Sequence, residues 1–164
     1  MVNNFLTIDP GSNIGGAFFH NAKPLFTFVV KDNINKSDAW EKRIIRILKD
    51  FEEELVAPRQ FSNLVYIERP IYMEATQKGR IAASSDSLHK LTTMYGAILN
   101  LLFKAGFHVE YLKPWEWKGQ LNKKQLAHRL KLLTGTVYPD HVADAVGIGY
   151  YILGQFPNVR RKTN

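Results

Sequence analysis

Two acids in this chain stand where apolar runs stop. Asp9 follows Phe5-Leu6-Thr7-Ile8 and precedes Pro10-Gly11, and Glu68 follows Leu64-Val65-Tyr66-Ile67 and precedes Arg69-Pro70. A third group lies in Tyr138-Pro139-Asp140-His141-Val142-Ala143-Asp144. Its spacings of three and four let Asp140, His141 and Asp144 share one face of a helix. If the strands ending in Asp9 and Glu68 are neighbours, the two carboxylates come together and the last helix adds a third. Carboxylates gathered in this way repel one another, and at least one keeps its proton unless something compensates. A divalent cation compensates, and an oxygen-rich set suits Mg²⁺. Two such ions about 3.5–4 Å apart can activate a water and stabilise the departing oxygen of a phosphodiester. A histidine in the set also admits Mn²⁺. Each residue has a plainer use as well. Asp9 can be a turn residue before Pro-Gly, Glu68 a solvated strand end, Asp140 a helix N-cap and His141 an exposed first-turn side chain.

The charge balance points the same way. The 164 residues hold 22 Lys and Arg against 15 Asp and Glu, a net charge of +7, which favours phosphate-bearing partners. A basic chain with an acidic site has one joint explanation, phosphodiester cleavage. The length fits one domain. Cysteine is absent, which excludes disulfide scaffolds, thiolate metal sites and cysteine nucleophiles. The opening Met-Val-Asn-Asn-Phe-Leu-Thr-Ile-Asp has no basic leader, so no secretory signal is expected. The longest nearly uncharged stretch, Ala145 to Leu153, falls well short of the roughly 20 residues a membrane helix requires.

The elements that must position these groups are legible from period and punctuation. Phe5–Asp9, Gly15–His20 and Leu25–Val30 read as strands, the last two joined by Asn21-Ala22-Lys23-Pro24 at hairpin length. Trp40, Ile44, Ile47, Leu48, Phe51 and Leu55 recur at the helical period, with Ser37 as the expected N-cap, Asp38 in the first turn and Pro58 at the end. Leu64–Glu68 reads as a strand, followed by a long connection over residues 69–83. Leu88, Leu91, Tyr95, Ile98, Leu102 and Ala105 mark one helix face, and Met94, Ala97 and Leu101 a second that could meet a partner subunit or lie inside the monomer. Phe107–Leu112 is a fifth strand. Helices follow over Lys123–Leu133 and His141–Leu153, and Trp115 and Trp117, ahead of both, read as core packing. The implied fold class is α/β, a five-stranded mixed sheet flanked by helices on both faces.

The chain resembles the RuvC-type Holliday junction resolvases of the RNase H-like superfamily. Phe-Leu-Thr-Ile-Asp-Pro-Gly-Ser at 5–12 looks like their first-strand motif. Tyr-Ile-Glu at 66–68 is similar to their second, and Asp-His-Val-Ala-Asp-Ala at 140–145 to their terminal motif. The resemblance runs from about residue 5 to residue 154. It implies an RNase H-like nuclease domain over residues 1–156, with a basic tail at 157–164. It implies that Asp9, Glu68 and Asp144 bind metal, with His141 in the fourth place and Asp140, one residue early, as the alternative. Two Mg²⁺ ions per site are implied, with Mn²⁺ as a substitute. Lys118 and Lys123 match the family's catalytic basic positions. Tyr72, or Ile71, matches the aromatic that opens the junction centre, and Arg69, Lys78, Arg80, Lys118, Lys123 and Lys124 would contact DNA. The implied protein is a homodimer that acts on four-way and other branched DNA in a bacterial or phage-infected cytoplasm, without a membrane. Two other readings stay open: a nuclease of the same superfamily acting on RNA–DNA hybrids, and a branched-DNA binding module without catalysis.

Overall fold

The computed structural model describes residues 4–11, 13–32, 38–70 and 86–156, the side chains of residues 86 and 87 aside. Its strands are β1 (Asn4–Asp9), β2 (Ile14–His20), β3 (Lys23–Val30), β4 (Leu64–Glu68) and β5 (His108–Leu112). Its helices are α1 (Trp40–Glu54), α2 (Val56–Arg59), α3 (Asp86–Lys104), α4 (Pro114–Trp117), α5 (Lys123–Thr134) and α6 (Asp140–Ile152). The strands form one sheet in the order β3-β2-β1-β4-β5. The first three make an antiparallel meander, while β4 pairs parallel with both β1 and β5. The mixed five-stranded sheet is therefore as the sequence implies, and strands one and four are neighbours.

Side-chain alternation divides each strand between two cores. Leu6, Ile8, Val65, Ile67 and Val109 point to one face, where α1 and α3 cover them with Ile47, Phe51, Met94, Ile98 and Leu102. Phe5, Ala17 and Phe19 point to the other, against Trp117, Leu126, Val142, Val146 and Ile148 from α4, α5 and α6. Thr7 lies on this second face, fully buried, its Oγ 2.8 Å from the carbonyl oxygen of Ala145. Asp9 and Glu68, two residues beyond Thr7 and Tyr66, thus open toward α6.

Glycines set how closely α6 approaches. A Cβ at Gly15 would lie 2.0 Å from the backbone oxygen of His141, and one at Gly149 would lie 2.0 Å from the Phe19 ring. The first turn of α6 therefore rests directly on β2.

Several local expectations need correction. Helix α1 begins at Trp40 behind Ala39, which makes no side-chain cap, while Ser37 lies outside the described residues. Asp38 instead pairs with Arg46 at 2.7 Å. Pro58 does not close the chain's first helical region but sits inside α2, where the preceding turn tolerates it. Met94 joins Ile98 and Leu102 on the core face of α3 rather than a second face, because those three lie four residues apart on one stripe. Trp115 is 38% exposed and so is not core, whereas Trp117 is 2% exposed.

Two glycine replacements should move stability in opposite directions. Gly149→Ala drives a methyl group into a packed ring and should cost about 1–3 kcal/mol. Gly96→Ala, in mid-α3 with nothing within 4 Å of the new methyl, should add about 0.5–1 kcal/mol. Denaturant midpoints check both; equal effects would mean that α6 does not press on β2 as described.

Candidate active site

The strand register places the acids. Ile8 pairs with Ile67, so Asp9 and Glu68 continue side by side at the end of β1 and β4. Asp144 meets them from the second turn of α6. Among the described residues, each carboxylate accepts a hydrogen bond from one side chain. Asp9 Oδ2 accepts from His141 Nδ1 at 2.8 Å, Glu68 Oε2 accepts from the Trp117 indole N–H at 2.7 Å, and Asp144 Oδ1 accepts from Lys118 Nζ at 2.5 Å.

The acids act on one another. Burial pushes the Glu68 carboxyl up to about 7, and the charges of Asp9 and Asp144 add to that, against the opposing effects of the Trp117 hydrogen bond and the Lys118 charge. Burial also raises Asp9 above the usual carboxylate range, helped by Asp144 and opposed by His141 and Lys118. His141 holds its proton to higher pH than usual because Nδ1 donates to Asp9, although burial works against it. Lys118 therefore shares one electrostatic cluster with Asp9, Glu68 and Asp144.

Asp140 stands apart. It is the first residue of α6, behind Pro139, and does not cap the helix with its side chain. Its carboxylate meets Lys123 Nζ at 2.8 Å, both side chains about two-thirds exposed, and that hydrogen bond holds Asp140 below the ordinary range. Such an exposed pair adds little stability. Lys124 and Arg69 are exposed, the Arg69 backbone N–H donating to Leu112. Ile71, Tyr72, Lys78, Arg80 and residues 157–164 lie outside the described residues.

No three His, Asp or Glu side chains among the described residues form a ready-made ion cage. Each acid is instead hydrogen-bonded to its own internal donor. The donor chemistry nevertheless fits a hard divalent cation. The set is oxygen-rich and largely shielded from water, and Asp9 and Glu68 are raised first by burial and then by neighbouring carboxylate charge, which a cation would relieve. Trp117 is the member that sequence reasoning assigned only to packing. Its position directly before Lys118 was the available signal.

No family model and no curated protein sequence matches the chain. Among solved structures it is similar to T. thermophilus RuvC in complex with a Holliday junction substrate, at 22% identity and TM-score 0.66, covering 94% of this chain and 98% of that one. The chain has the RuvC fold. A second structure of RuvC, from Thermus thermophilus, matches with TM-score 0.62 at 22% identity over 93% of this chain and 97% of that one. The Fowlpox virus Holliday junction resolvase matches with TM-score 0.51 at 14% identity, over 92% of this chain and 98% of that one. The RuvC-like fold is RNase H-like, and among the described residues no helix is long and apolar enough to cross a membrane.

The pKa directions set a pH dependence for the metal-free protein. Glu68, raised from 4.5 to about 7, contributes stability that is fully present below 4.5 and lost as pH rises through about 7. Asp9 and His141, also raised, act with the same sign. Melting temperature should therefore fall between about pH 5 and pH 8, with Glu68 accounting for up to about 3 kcal/mol. Glu68→Gln should flatten that fall. A wild-type curve that rises over this range contradicts the buried cluster.

Proposed function

We propose that the protein is a divalent-metal-dependent, structure-selective DNA endonuclease that resolves four-way junctions by paired phosphodiester hydrolysis. The observation that carries this reading is the coupled cluster of Asp9, Glu68 and Asp144 at one end of the sheet, with Lys118 among them, in a chain of net charge +7. The RuvC fold supports it, since one similar structure holds a Holliday junction substrate and another is named a Holliday junction resolvase.

In this reading Asp9, Glu68 and Asp144 hold Mg²⁺ or Mn²⁺, with His141 as the fourth group. Two ions bound there supply an activated water and charge stabilisation at the departing oxygen. His141 is favoured over Asp140 because it already contacts Asp9, whereas Asp140 is neutralised by Lys123 at the exposed rim. With Nδ1 committed to Asp9, the ring keeps Nε2 for a ligand. Lys118 restrains Asp144, and its ammonium is placed to offset negative charge that develops on a phosphate nearby. Lys123, Lys124 and Arg69 supply exposed positive charge for the DNA backbone, and further DNA contacts are assigned to Tyr72, Lys78 and Arg80, which lie outside the described residues. Residues 1–156 form the nuclease domain and 157–164 a basic tail. Two copies related by a two-fold axis would nick symmetric strands.

A cleavage panel tests this: four-way junction, flap, linear duplex and RNA–DNA hybrid, each with Mg²⁺ and with Mn²⁺. The junction should be cut in preference, and Asp9→Asn should reduce cleavage to background while binding the junction as tightly or more tightly. Preferred cutting of the hybrid would move the substrate to RNA–DNA, and binding without cleavage would reduce the protein to a binding module. His141→Ala should lose more activity than Asp140→Ala. Mg²⁺ at a hundred times its Kd should also stabilise the wild type by about 2.7 kcal/mol, and Asp9→Asn far less.

A further inference from the structure

Trp117 and Lys118 are consecutive, yet each holds a different acid of the cluster. Lys118 reaches Asp144 on α6, and the Trp117 indole reaches Glu68 on β4. Their own groups are in contact, with Lys118 Nζ 5.4 Å from the centre of the Trp117 ring. The indole cannot turn elsewhere. It is 2% exposed, packed in the core under α6, and a Cβ at Gly147 would lie 2.6 Å from its Cζ3. Gly147 is therefore the gap that admits a tryptophan at this point. Trp has one polar hydrogen, which when buried needs an acceptor. Here that acceptor is one oxygen of Glu68, at 2.7 Å.

Resting on the metal-dependent reading above, we infer that Trp117 is a positioning residue for Glu68. Its N–H fixes Oε2 and the rotamer of the side chain, leaving Oε1 as the oxygen for a divalent cation. Hydrogen bonds behind a ligand orient it, and their loss commonly weakens metal affinity about 10- to 100-fold. Trp117→Phe keeps an aromatic ring but deletes the donor.

The test is Mn²⁺ binding by calorimetry, with no DNA present. Trp117→Phe should raise the Mn²⁺ Kd about tenfold or more. Leu130→Ala, buried in the same apolar cluster, should lower the melting temperature yet leave Kd within about twofold. In a Glu68→Ala background, Trp117→Phe should have no further effect on Kd. Should Trp117→Phe fail to fold, the indole N–H resonance of the Glu68→Ala protein decides: it should shift from its wild-type position and exchange faster with solvent. An unchanged Kd in Trp117→Phe, an equal loss in Leu130→Ala, or an indole resonance indifferent to Glu68→Ala overturns the role. Wild type that binds no Mn²⁺ instead removes the metal-dependent reading, and this proposal with it.

Discussion

Three carboxylates are held close together because the backbone leaves them no alternative, and their repulsion is the constraint to which the surrounding side chains respond. Parallel pairing of β1 with β4 fixes Asp9 beside Glu68, and alternation turns both toward α6. The direct seating of α6 on β2 at Gly15 then fixes Asp144 and His141 above them. Without an ion, the protein answers with its own donors: an imidazole for Asp9, an indole for Glu68 and an ammonium for Asp144. The ammonium is charged and the indole is neutral. Glu68 has the neutral one, and burial together with the charges of Asp9 and Asp144 pushes its carboxyl up to about 7. The cluster is thus compensated in part, and what remains is a deficit that a divalent cation fits.

Holding such a cluster needs rigid packing behind it. Phe5 stacks on Phe19 with centroids 5.0 Å apart, and Phe19 in turn meets Tyr150 of α6 edge-on at 5.5 Å. Tyr66 of β4 packs edge-on against Phe5 at 5.5 Å. This aromatic chain joins β1, β2, β4 and α6, the same elements that carry or flank Asp9, Glu68 and Asp144. Gly149 leaves room for Phe19, as Gly147 does for Trp117. The two small residues on one helix turn large aromatics into spacers of fixed thickness between helix and sheet.

Strong periodicity made most of this legible from residues alone. The strands, the long helices and the three acids at strand and helix ends carry their signals locally, in alternation, in 3.6-residue spacing and in Asp-Pro-Gly. What the sequence did not show is set by contacts between distant segments. Helices α2 and α4 are four residues each, too short to display a period. Met94 reads from spacing as part of a second face of α3, and only its neighbours in space place it with Ile98 and Leu102. Asp140 and His141 are adjacent, and which one joins the cluster depends on the rotation of α6, which Gly15 and Thr7 determine from β1 and β2. Trp117 presented only its bulk. Its hydrogen bond depends on Glu68, 49 positions earlier in the chain.

The arrangement also weighs catalysis against mere binding. A surface that only grips phosphate gains from cations at its centre, and every buried carboxylate there costs affinity through repulsion of the backbone. Here the distribution is the reverse. Asp9, Glu68 and Asp144 occupy the interior of the site, and Lys118 lies among them rather than projecting past them. The exposed cations, Lys123, Lys124 and Arg69, stand farther out. Burial raises the cost of charging Asp9 and Glu68, and the fold keeps them there even so. That cost is useful if the acids are there to hold positive ions against a phosphate, because a site that repels DNA when empty attracts it once loaded. Under the proposed function, the same logic would make the metal and the nucleic acid mutually dependent ligands, each lowering the electrostatic cost of the other.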